Sequence, residues 1–377
     1  MASTRNSKSY DVVIIGSGVQ GLSSAVFLAK NGKKTVAVVE KEPSFGLGSS
    51  SRSGSMIMKS RENAPKIELS LYSFSFFEDY RNLFGEEFLF RKTGFLSLVG
   101  SDQAARYEAE HQLRLELGVP SEMYSTKQIQ MQCPAVSTVG LEFGVFCGDD
   151  GEVSASQILD GYYKLASSMG VDFFFHNKVQ SFETTAGQLT GVQTNRELLR
   201  CEYVVNAAGA GAPKIASILG LELPQKNLRR SIFFCQTANP ELYTGPMVED
   251  AELEWYYRGL TDGRVLIGMG LEPEDVVTDG PNLSFLSTIR EATKMRAPAL
   301  QDFTVIDGHS GIRPLSPDII PLIGPTADYP NFILNTGWGG EGIMHSPGGG
   351  AVVSDVIDGT HNYLFDTSAF HPKRFNI

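Results

Sequence analysis

The segment VVIIGSGVQGLSSAVFLAKNGKKTVAVVEKE, residues 12–42, places the strongest constraint on what this chain can fold into. An apolar run leads into Gly16, Gly18 and Gly21, a helical pattern follows, and a second apolar run ends at Glu40. Glycines at this spacing allow a tight turn, a close approach of the backbone to a pyrophosphate, and close packing of helix on strand. The order predicts strand, helix and strand in a parallel sheet, with a dinucleotide at the N-terminus of the helix.

Glu40 narrows the choice of dinucleotide. It follows the second strand about twenty residues after the glycines, where a carboxylate can accept hydrogen bonds from the ribose hydroxyls of adenosine. A carboxylate at that position repels a 2′-phosphate, which argues against NADP. The motif by itself leaves NAD, FAD and an unliganded glycine-rich turn open.

Two further segments favour FAD. The stretch 46–53 is rich in glycine and serine and contains Ser50, Ser51 and Arg52, which can donate hydrogen bonds to a diphosphate; the alternative is a flexible surface loop. Near the other end of the chain, a strand ending at Thr336 runs into a glycine-rich turn and then a helix. Backbone N–H groups and a helix N-terminus there would stabilise the negative charge of a reduced flavin, and the alternative is a purely structural loop.

Composition limits the class of protein. The chain has 377 residues, 42% of them apolar and 20% charged, which is typical of a globular protein with about two domains. A net charge of −11 disfavours binding to nucleic acid. The four cysteines are far apart in sequence, so neither a disulfide framework nor a metal site is expected. No apolar run approaches the ~20 residues that span a bilayer, and we expect a cytoplasmic protein.

Parallel-sheet units occur at the start, in the middle and at the end of the chain, with antiparallel-looking strands between them. This pattern predicts an α/β protein (α+β overall) with a Rossmann-type FAD-binding domain assembled from discontinuous segments. Its expected segments are residues 1–85, 150–224 and 308–377. The β-rich substrate domain is expected to comprise residues 86–149 and 225–307.

Four motifs, taken in order, resemble those of the D-amino-acid oxidase/sarcosine oxidase family of FAD-dependent oxidoreductases. They are the opening segment, GSSSRSG, VVNAAGAGA, and GIRPLSPDIIPLIGP with NFILNTGWGGEGIMHSPGGG. The resemblance covers nearly the whole chain, is most specific at the C-terminal motif, and is nearest to the branch of sarcosine and proline dehydrogenase β-type subunits. It implies that FAD is held by Gly16, Gly18, Gly21, Glu40, Ser50, Ser51, Arg52, Val179, Ala207, Ala208, Gly209, Gly339, Gly340, Gly342, Ile343 and Met344.

Three residues are candidates for the substrate end of the site: the resemblance implies the first two, and position in the sequence adds the third. Arg313 matches an arginine that many members use to bind a substrate carboxylate, and a guanidinium suits a bidentate pair; the alternative is an arginine that only supports its loop. Tyr257 resembles a tyrosine that faces the flavin, with Trp255 on the same face of its strand, although core packing is the commoner role for such aromatics. His345 lies next to the glycine turn, where most histidines are only hydrogen-bonded neighbours.

Three departures from the family pattern bear on the chemistry. The segment HSGIRPLSPD has no cysteine and the early Gly/Ser loop has no histidine, so FAD is expected to be non-covalent. Ile267 stands where sarcosine oxidases have a lysine that assists oxygen reduction. The absence of this lysine favours a dye, a quinone or a partner flavoprotein as electron acceptor. Glu341 stands where relatives often have histidine.

The expected reaction is oxidation of a carboxylate-bearing amine (an amino acid, an N-methyl amino acid or a cyclic imino acid) to the imine. Hydride would pass from Cα to flavin N5, and Arg313 would bind the carboxylate. Two alternatives stay open: a 2-hydroxy acid dehydrogenase, which needs a base such as His345 or His309, and a flavin subunit active only with a partner. The sequence is also compatible with a homo-oligomer.

Overall fold

The computed structural model describes residues 8–30, 34–79, 90–270, 272, 280–360 and 365–377. The helices of that part of the chain are α1 Val19–Ala29, α2 Ala64–Glu78, α3 Ala104–Glu116, α4 Thr126–Gln132, α5 Ala155–Ser168, α6 Ala212–Ser217, α7 Leu286–Arg296 and α8 Ser346–Asp358. Its strands are β1 Lys8–Ile15, β2 Val36–Val39, β3 Met56–Ile57, β4 Phe95–Gly100, β5 Glu122–Tyr124, β6 Leu141–Cys147, β7 Gly151–Glu152, β8 Asp172–Phe174, β9 Val179–Thr185, β10 Gln188–Thr194, β11 Leu198–Asn206, β12 Lys226–Gln236, β13 Met247–Asp250, β14 Trp255–Gly259, β15 Val265–Gly268, β16 Thr304–Leu315, β17 Leu322–Pro325 and β18 Phe332–Thr336.

The first sheet carries the predicted parallel unit. Its strand order is β17-β18-β11-β1-β2-β8, with β10 and β9 added beside β11. The pairs β1–β2, β1–β11, β11–β18 and β2–β8 are parallel, which confirms the prediction for the opening segment. Val12, Ile14, Val36 and Val38 are buried with apolar residues of α1, α5 and α8 on one face, as expected for a parallel sheet covered on both sides.

The second sheet is mainly antiparallel and has the strand order β16-β12-β15-β14-β13-β4-β6-β5. One of its faces packs on α4 and α7 through a core that includes Trp255, Phe233 and Ile289. The architecture is therefore mixed α/β, with one largely parallel and one largely antiparallel sheet, as predicted.

The expected boundary at 307/308 is wrong, because it falls inside β16. This strand pairs with β12 from Thr304 to Leu315, so Arg313 projects from the second sheet. The expected boundary at 85/86 lies outside the described residues, and the rest of the division into domains stays a prediction. Among the described helices, none combines the length and the apolar character needed to cross a membrane.

Candidate active site

A cavity of about 1120 Å³ connects the two sheets. Gly16, Gly18 and Glu40 line one part of it, and Arg313 and Gly340 line another. Typical small-molecule sites have volumes of ~300–1,000 Å³, so this cavity is large enough for an extended ligand together with a small second molecule.

The glycines of the opening motif bring three pieces of backbone into close contact. Gly16 has φ +102°, and a Cβ added there would lie 2.6 Å from the carbonyl oxygen of Ala207. A Cβ on Gly21 would lie 1.9 Å from the carbonyl oxygen of Gly16, so Gly21 packs the helix on the strand and does not line the cavity. Gly18 is the N-cap of α1 and supplies no side-chain cap. The N–H groups of the first turn of α1 are therefore directed to the space where a phosphate can bind.

Glu40 directly follows β2, with its carboxylate at the cavity wall. Its Oε2 accepts hydrogen bonds from the backbone N–H of Ser17 at 2.8 Å and from the Ser17 hydroxyl at 2.9 Å. Its Oε1 accepts one bond from the backbone N–H of Glu42 at 3.0 Å. These bonds fix the carboxylate in one orientation, and Oε1 retains a lone pair for a ligand hydroxyl.

The Gly/Ser-rich loop contributes some of the expected residues to the cavity. Ser50 and Arg52 line it, and the Ser50 hydroxyl accepts the backbone N–H of Val19 at 3.1 Å, which joins the loop to the start of α1. Ser51 is exposed and donates to the carbonyl of Gly48 at 3.2 Å, so it lies outside the cavity wall formed by the described residues.

The middle of the chain supplies the wall between the two ends. Val179 begins β9, and Ala207, Ala208 and Gly209 follow β11; all four line the cavity. The backbone N–H of Ala207 donates to the carbonyl of Ile15 at 3.0 Å, which holds this turn beside Gly16.

The C-terminal turn joins the far end of the chain to α1. Gly340, Gly342 and Ile343 line the cavity, whereas Gly339 and the buried Met344 lie outside the wall that the described residues form. The side-chain amide of Gln20 in α1 donates to the carbonyl of Gly342 at 2.9 Å.

Helices α1 and α8 pack at short range because the contact is made of small residues. A Cβ on Gly350 would lie 2.3 Å from the Ser23 hydroxyl oxygen, and that hydroxyl donates to the carbonyl of Ser346 at 2.6 Å. The amide of Asn335 donates to the Ser24 hydroxyl at 3.0 Å. The two glycine turns therefore lie at one cavity.

Glu341 belongs to a buried group of charges behind the C-terminal turn. It pairs with Arg61, and with Lys66 at 3.1 Å, and the Lys66 side chain is only 2% exposed. Burial lowers the pKa of Arg61, but Glu341 and Glu62 act more strongly in the opposite direction, and the net pKa is raised. The network fixes the turn to the N-terminal end of α2.

Arg313 lines the cavity and makes no hydrogen bond or ion pair with any described residue. Burial, followed by the nearby guanidinium of Arg230, lowers the pKa of Arg313 to about 10, so the side chain stays protonated at neutral pH. A half-buried, charged guanidinium without a partner is stabilised when a ligand supplies an anion. This arrangement can bind a carboxylate within the cavity.

The structure places Tyr257 away from the cavity. Its side chain is 2% exposed, packs at 5.5 Å from the rings of Trp255 and Tyr243, and shares a hydrogen bond with the thiol of Cys133. Because side chains alternate along β14, the neighbouring Tyr256 is directed to the opposite, cavity-side face, where it contacts Arg230. Tyr256, rather than Tyr257, is the tyrosine of this strand beside the site.

His345 and Ile267 are also held away from the cavity. His345 is fully buried, its Nε2 lies 2.8 Å from the Ser70 hydroxyl, and burial lowers its pKa well below the ordinary value. Ile267 belongs to the same core as Tyr257, so it does not occupy the position expected for an oxygen-activating lysine. Leu266 and Gly268 are on the other face of β15, and neither is a cation.

Arg230 and Gln20 line the cavity but did not emerge from the sequence. Arg230 could have been found from the alternation of RRSIFF, which places Arg230 and Ile232 on one face. Gln20 falls within the glycine motif, and no local pattern distinguishes it. Among the described residues, no group of three or more His, Cys, Asp or Glu side chains could bind a metal ion.

The residues present fit FAD. The backbone around Gly16 leaves no space for a side chain, which allows a ligand to approach closely. The first turn of α1 provides N–H donors for a phosphate, and Glu40 provides an acceptor for a ribose hydroxyl. The second glycine turn lines the same cavity, where the redox ring of an extended dinucleotide could lie.

Known proteins with similar sequences and folds identify the family of this chain. The family described as DAO, FAD dependent oxidoreductase, matches residues 11–356. The chain is 27% identical over 358 residues to the sarcosine oxidase subunit beta of Rhizobium meliloti (strain 1021), covering 92% of this chain and 84% of the relative. Its fold is similar to that of L-proline dehydrogenase from P. horikoshii, with a TM-score of 0.89 and 23% identity over 98% of each chain. It is also similar to glycine oxidase from Geobacillus kaustophilus, with a TM-score of 0.85 and 22% identity over 98% and 99% of the two chains. The chain belongs to the DAO family of FAD-dependent oxidoreductases.

Proposed function

We propose that this protein oxidises a carboxylate-bearing amine to the corresponding imine with non-covalently bound FAD. The observation that carries the proposal is the unpaired guanidinium of Arg313, which lies in the same cavity as the two glycine turns. A sarcosine oxidase subunit, whose name denotes an N-methyl amino acid substrate, is a relative over most of the chain and supports the same substrate class.

The proposed cofactor contacts follow from the geometry. Gly16, Gly18 and the first turn of α1 bind the diphosphate, Glu40 binds the adenosine ribose, and Gly340 and Gly342 approach the ring with backbone only. FAD, when bound, supplies the acceptor for a hydride. Non-covalent binding is supported because no cysteine or histidine belongs to the cavity wall of the described residues. The four cysteines are buried, and burial raises the pKa of each thiol.

Arg313 performs the main task that we assign to the protein. Its planar guanidinium binds the substrate carboxylate by two parallel hydrogen bonds and so fixes the position of Cα. The Cα–H bond breaks with its electron pair leaving as hydride, the nitrogen lone pair forms the C=N bond, and the nitrogen proton passes to solvent. Water then hydrolyses the imine. Orientation of this kind can contribute several kcal/mol without a protein base, up to ~7–11 kcal/mol in ideal cases.

A 2-hydroxy acid substrate receives less support. Removal of hydride from an alcohol carbon needs a base for the hydroxyl proton. His345 is buried behind the turn, and the Nε2 of His309 lies 3.1 Å from the carbonyl oxygen of Arg52. Neither histidine belongs to the cavity wall formed by the described residues.

We also propose an electron acceptor other than oxygen, because β15 presents Leu266 and Gly268, and no lysine, to the cavity side. A Cβ on Gly268 would lie 2.1 Å from the Tyr256 hydroxyl oxygen, so a long side chain there would displace the tyrosine. A partner-dependent subunit is the alternative, since the relative named above is itself a subunit. Turnover of the isolated chain with an artificial dye supports an independent enzyme, whereas activity that appears only on adding a partner supports the alternative.

The test of the substrate class is Arg313→Ala, assayed with a dye under steady-state conditions. Loss of a buried carboxylate partner should raise KM for carboxylated amines at least about 30-fold, which corresponds to about 2 kcal/mol, with FAD still bound. Arg264→Ala is the matched control, because Arg264 is a partly exposed arginine that directly precedes β15 of the same sheet and pairs with Asp262. Unchanged kinetics in Arg313→Ala would contradict the assignment of Arg313 as the residue that binds the substrate carboxylate.

A further inference from the structure

Two arginines project from neighbouring strands into the same cavity. In the antiparallel pair β12–β16, Arg230 is opposite Gly311 and Leu228 is opposite Arg313. Residues directly opposite each other share a face, and so do residues two positions apart along a strand. Arg230 and Arg313 are therefore diagonal neighbours on one face, with their Cα atoms roughly 7–8 Å apart. Both line the cavity.

Neither guanidinium pairs with a carboxylate of a described residue. Arg230 is located over the ring of Tyr256 at 4.6 Å, with its Nε 3.3 Å from the tyrosine hydroxyl. Arg313 makes no hydrogen bond, and neither arginine forms an ion pair within the described part of the chain. After burial, the positive charge of Arg230 is the largest cause that lowers the pKa of Arg313.

The nearby carboxylates do not neutralise this pair by contact. Glu341 is engaged by Arg61 and Lys66. Glu249 and Glu254 raise the pKa of Arg230 after Tyr256, and Glu249 also raises that of Arg313, but neither carboxylate forms an ion pair with these arginines in the described part of the chain. The pKa of Arg313 is lowered by burial and by the positive charge of Arg230, whereas the pKa of Arg230 is raised, so the cost of the paired charges falls on Arg313. A ligand with two anionic groups would offset that cost and would pair with both guanidinium groups.

We infer that the preferred substrate is an amine that carries two carboxylates, with Arg313 binding the carboxylate on the reacting carbon and Arg230 binding the second. This inference rests on the proposed function and makes Arg230 a specificity-determining residue. The spacing of the two arginines suits carboxylates joined by a short chain, such as those of aspartate, glutamate or their N-methyl derivatives. A second bidentate pair adds binding energy that a monocarboxylate cannot obtain.

The experiment compares matched amines in the FAD-bound protein with a dye as acceptor. Glycine and sarcosine are the monocarboxylates, and both enantiomers of aspartate, glutamate, N-methylaspartate and N-methylglutamate are the dicarboxylates. We expect kcat/KM at least about tenfold higher for one of the dicarboxylates, which corresponds to about 1.4 kcal/mol. Arg230→Gln should remove that preference mainly through KM, and Arg230→Lys, which keeps the charge, should restore part of it. Arg264→Gln should retain the preference of the unmodified protein.

Three results would overturn the inference: a preference for monocarboxylates, an equal loss for both substrate groups in Arg230→Gln, or loss of FAD from that variant. A binding titration with succinate and butyrate, followed through the visible spectrum of the bound flavin, tests the dianion site separately from the proposed function. If no amine is oxidised, the proposed function fails. An Arg230-dependent preference for succinate then still supports the dianion site, and equal binding of the two acids overturns it.

Discussion

The side chain of Arg313 passes directly over Gly340: a Cβ added to Gly340 would lie 2.6 Å from Arg313 Nε. Gly340 also has φ +95°, a conformation that other residues rarely adopt. The glycine turn and the arginine thus depend on each other, because the turn leaves the space through which the guanidinium reaches the cavity.

Gly340→Ala should displace Arg313 and weaken binding of carboxylated amines. We expect KM to rise at least about tenfold, equivalent to about 1.4 kcal/mol, as measured by steady-state kinetics with a dye. Gly337→Ala is the control, since Gly337 has φ +77° in the same turn but its added Cβ would approach no atom closer than 3.5 Å. The control should lose about 1–2 kcal/mol of stability from backbone strain and keep its KM. Equal KM values in the two variants would contradict the arrangement.

Tyr256 and Tyr257 provide a matched pair that tests which face of β14 is directed to the site. Tyr256→Phe removes the hydroxyl next to Arg230, and we expect KM to rise roughly two- to tenfold, in line with a single hydrogen bond. Tyr257→Phe should leave the kinetics unchanged and lower the free energy of unfolding by about 1 kcal/mol, because its hydroxyl bonds Cys133 in the core. Kinetics and denaturant unfolding of both variants measure the difference. The reverse pattern would place the other face of β14 at the cavity.

Buried His345 should make stability depend on pH. Burial, and then Arg61 and Lys66, lower its pKa well below the usual value of about 6.5, so the unfolded chain binds a proton there that the folded chain does not. Its contribution to stability is complete at neutral pH. It falls by about 1.4 kcal/mol for each pH unit below about 6.5 until the folded pKa is reached.

The check is denaturant unfolding between pH 7 and 5. His345→Gln should lose less stability over this range than the unmodified protein, whatever its stability at pH 7. His176→Gln, which changes an exposed histidine, should follow the unmodified protein. Parallel curves for the unmodified protein and His345→Gln would contradict the assignment.

The parts of the fold that were readable from the sequence depend on local backbone geometry. Glycine is required at positions 16 and 21 because a side chain there would collide with backbone that is close in sequence or next to the adjacent strand. The spacing of these glycines therefore predicts the turn. Contacts between distant segments are different: Glu341 meets Arg61 and Lys66 across some 280 and 275 residues of sequence separation, and no pattern marks these residues as partners.

Strand phase was the main source of error at the site. In β14 the residues Trp255, Tyr256 and Tyr257 are all buried, so both faces carry aromatic residues and alternation cannot say which face is directed to the cavity. The same applies to Ile267 in β15. The boundary near 307 failed because β16 continues through it as the edge strand of its sheet in the described structure, where Pro314 is tolerated.

The central claim is that one cavity holds both ends of a single FAD, and calorimetric titration of flavin-free protein with FAD, FMN and ADP tests it most directly. We predict one FAD per chain, bound at least about 100-fold more tightly than FMN or ADP, because each fragment contacts only one of the two glycine turns; the difference corresponds to about 2.7 kcal/mol. Folded protein that takes up no FAD, or that binds FMN or ADP as tightly as FAD, would contradict the account.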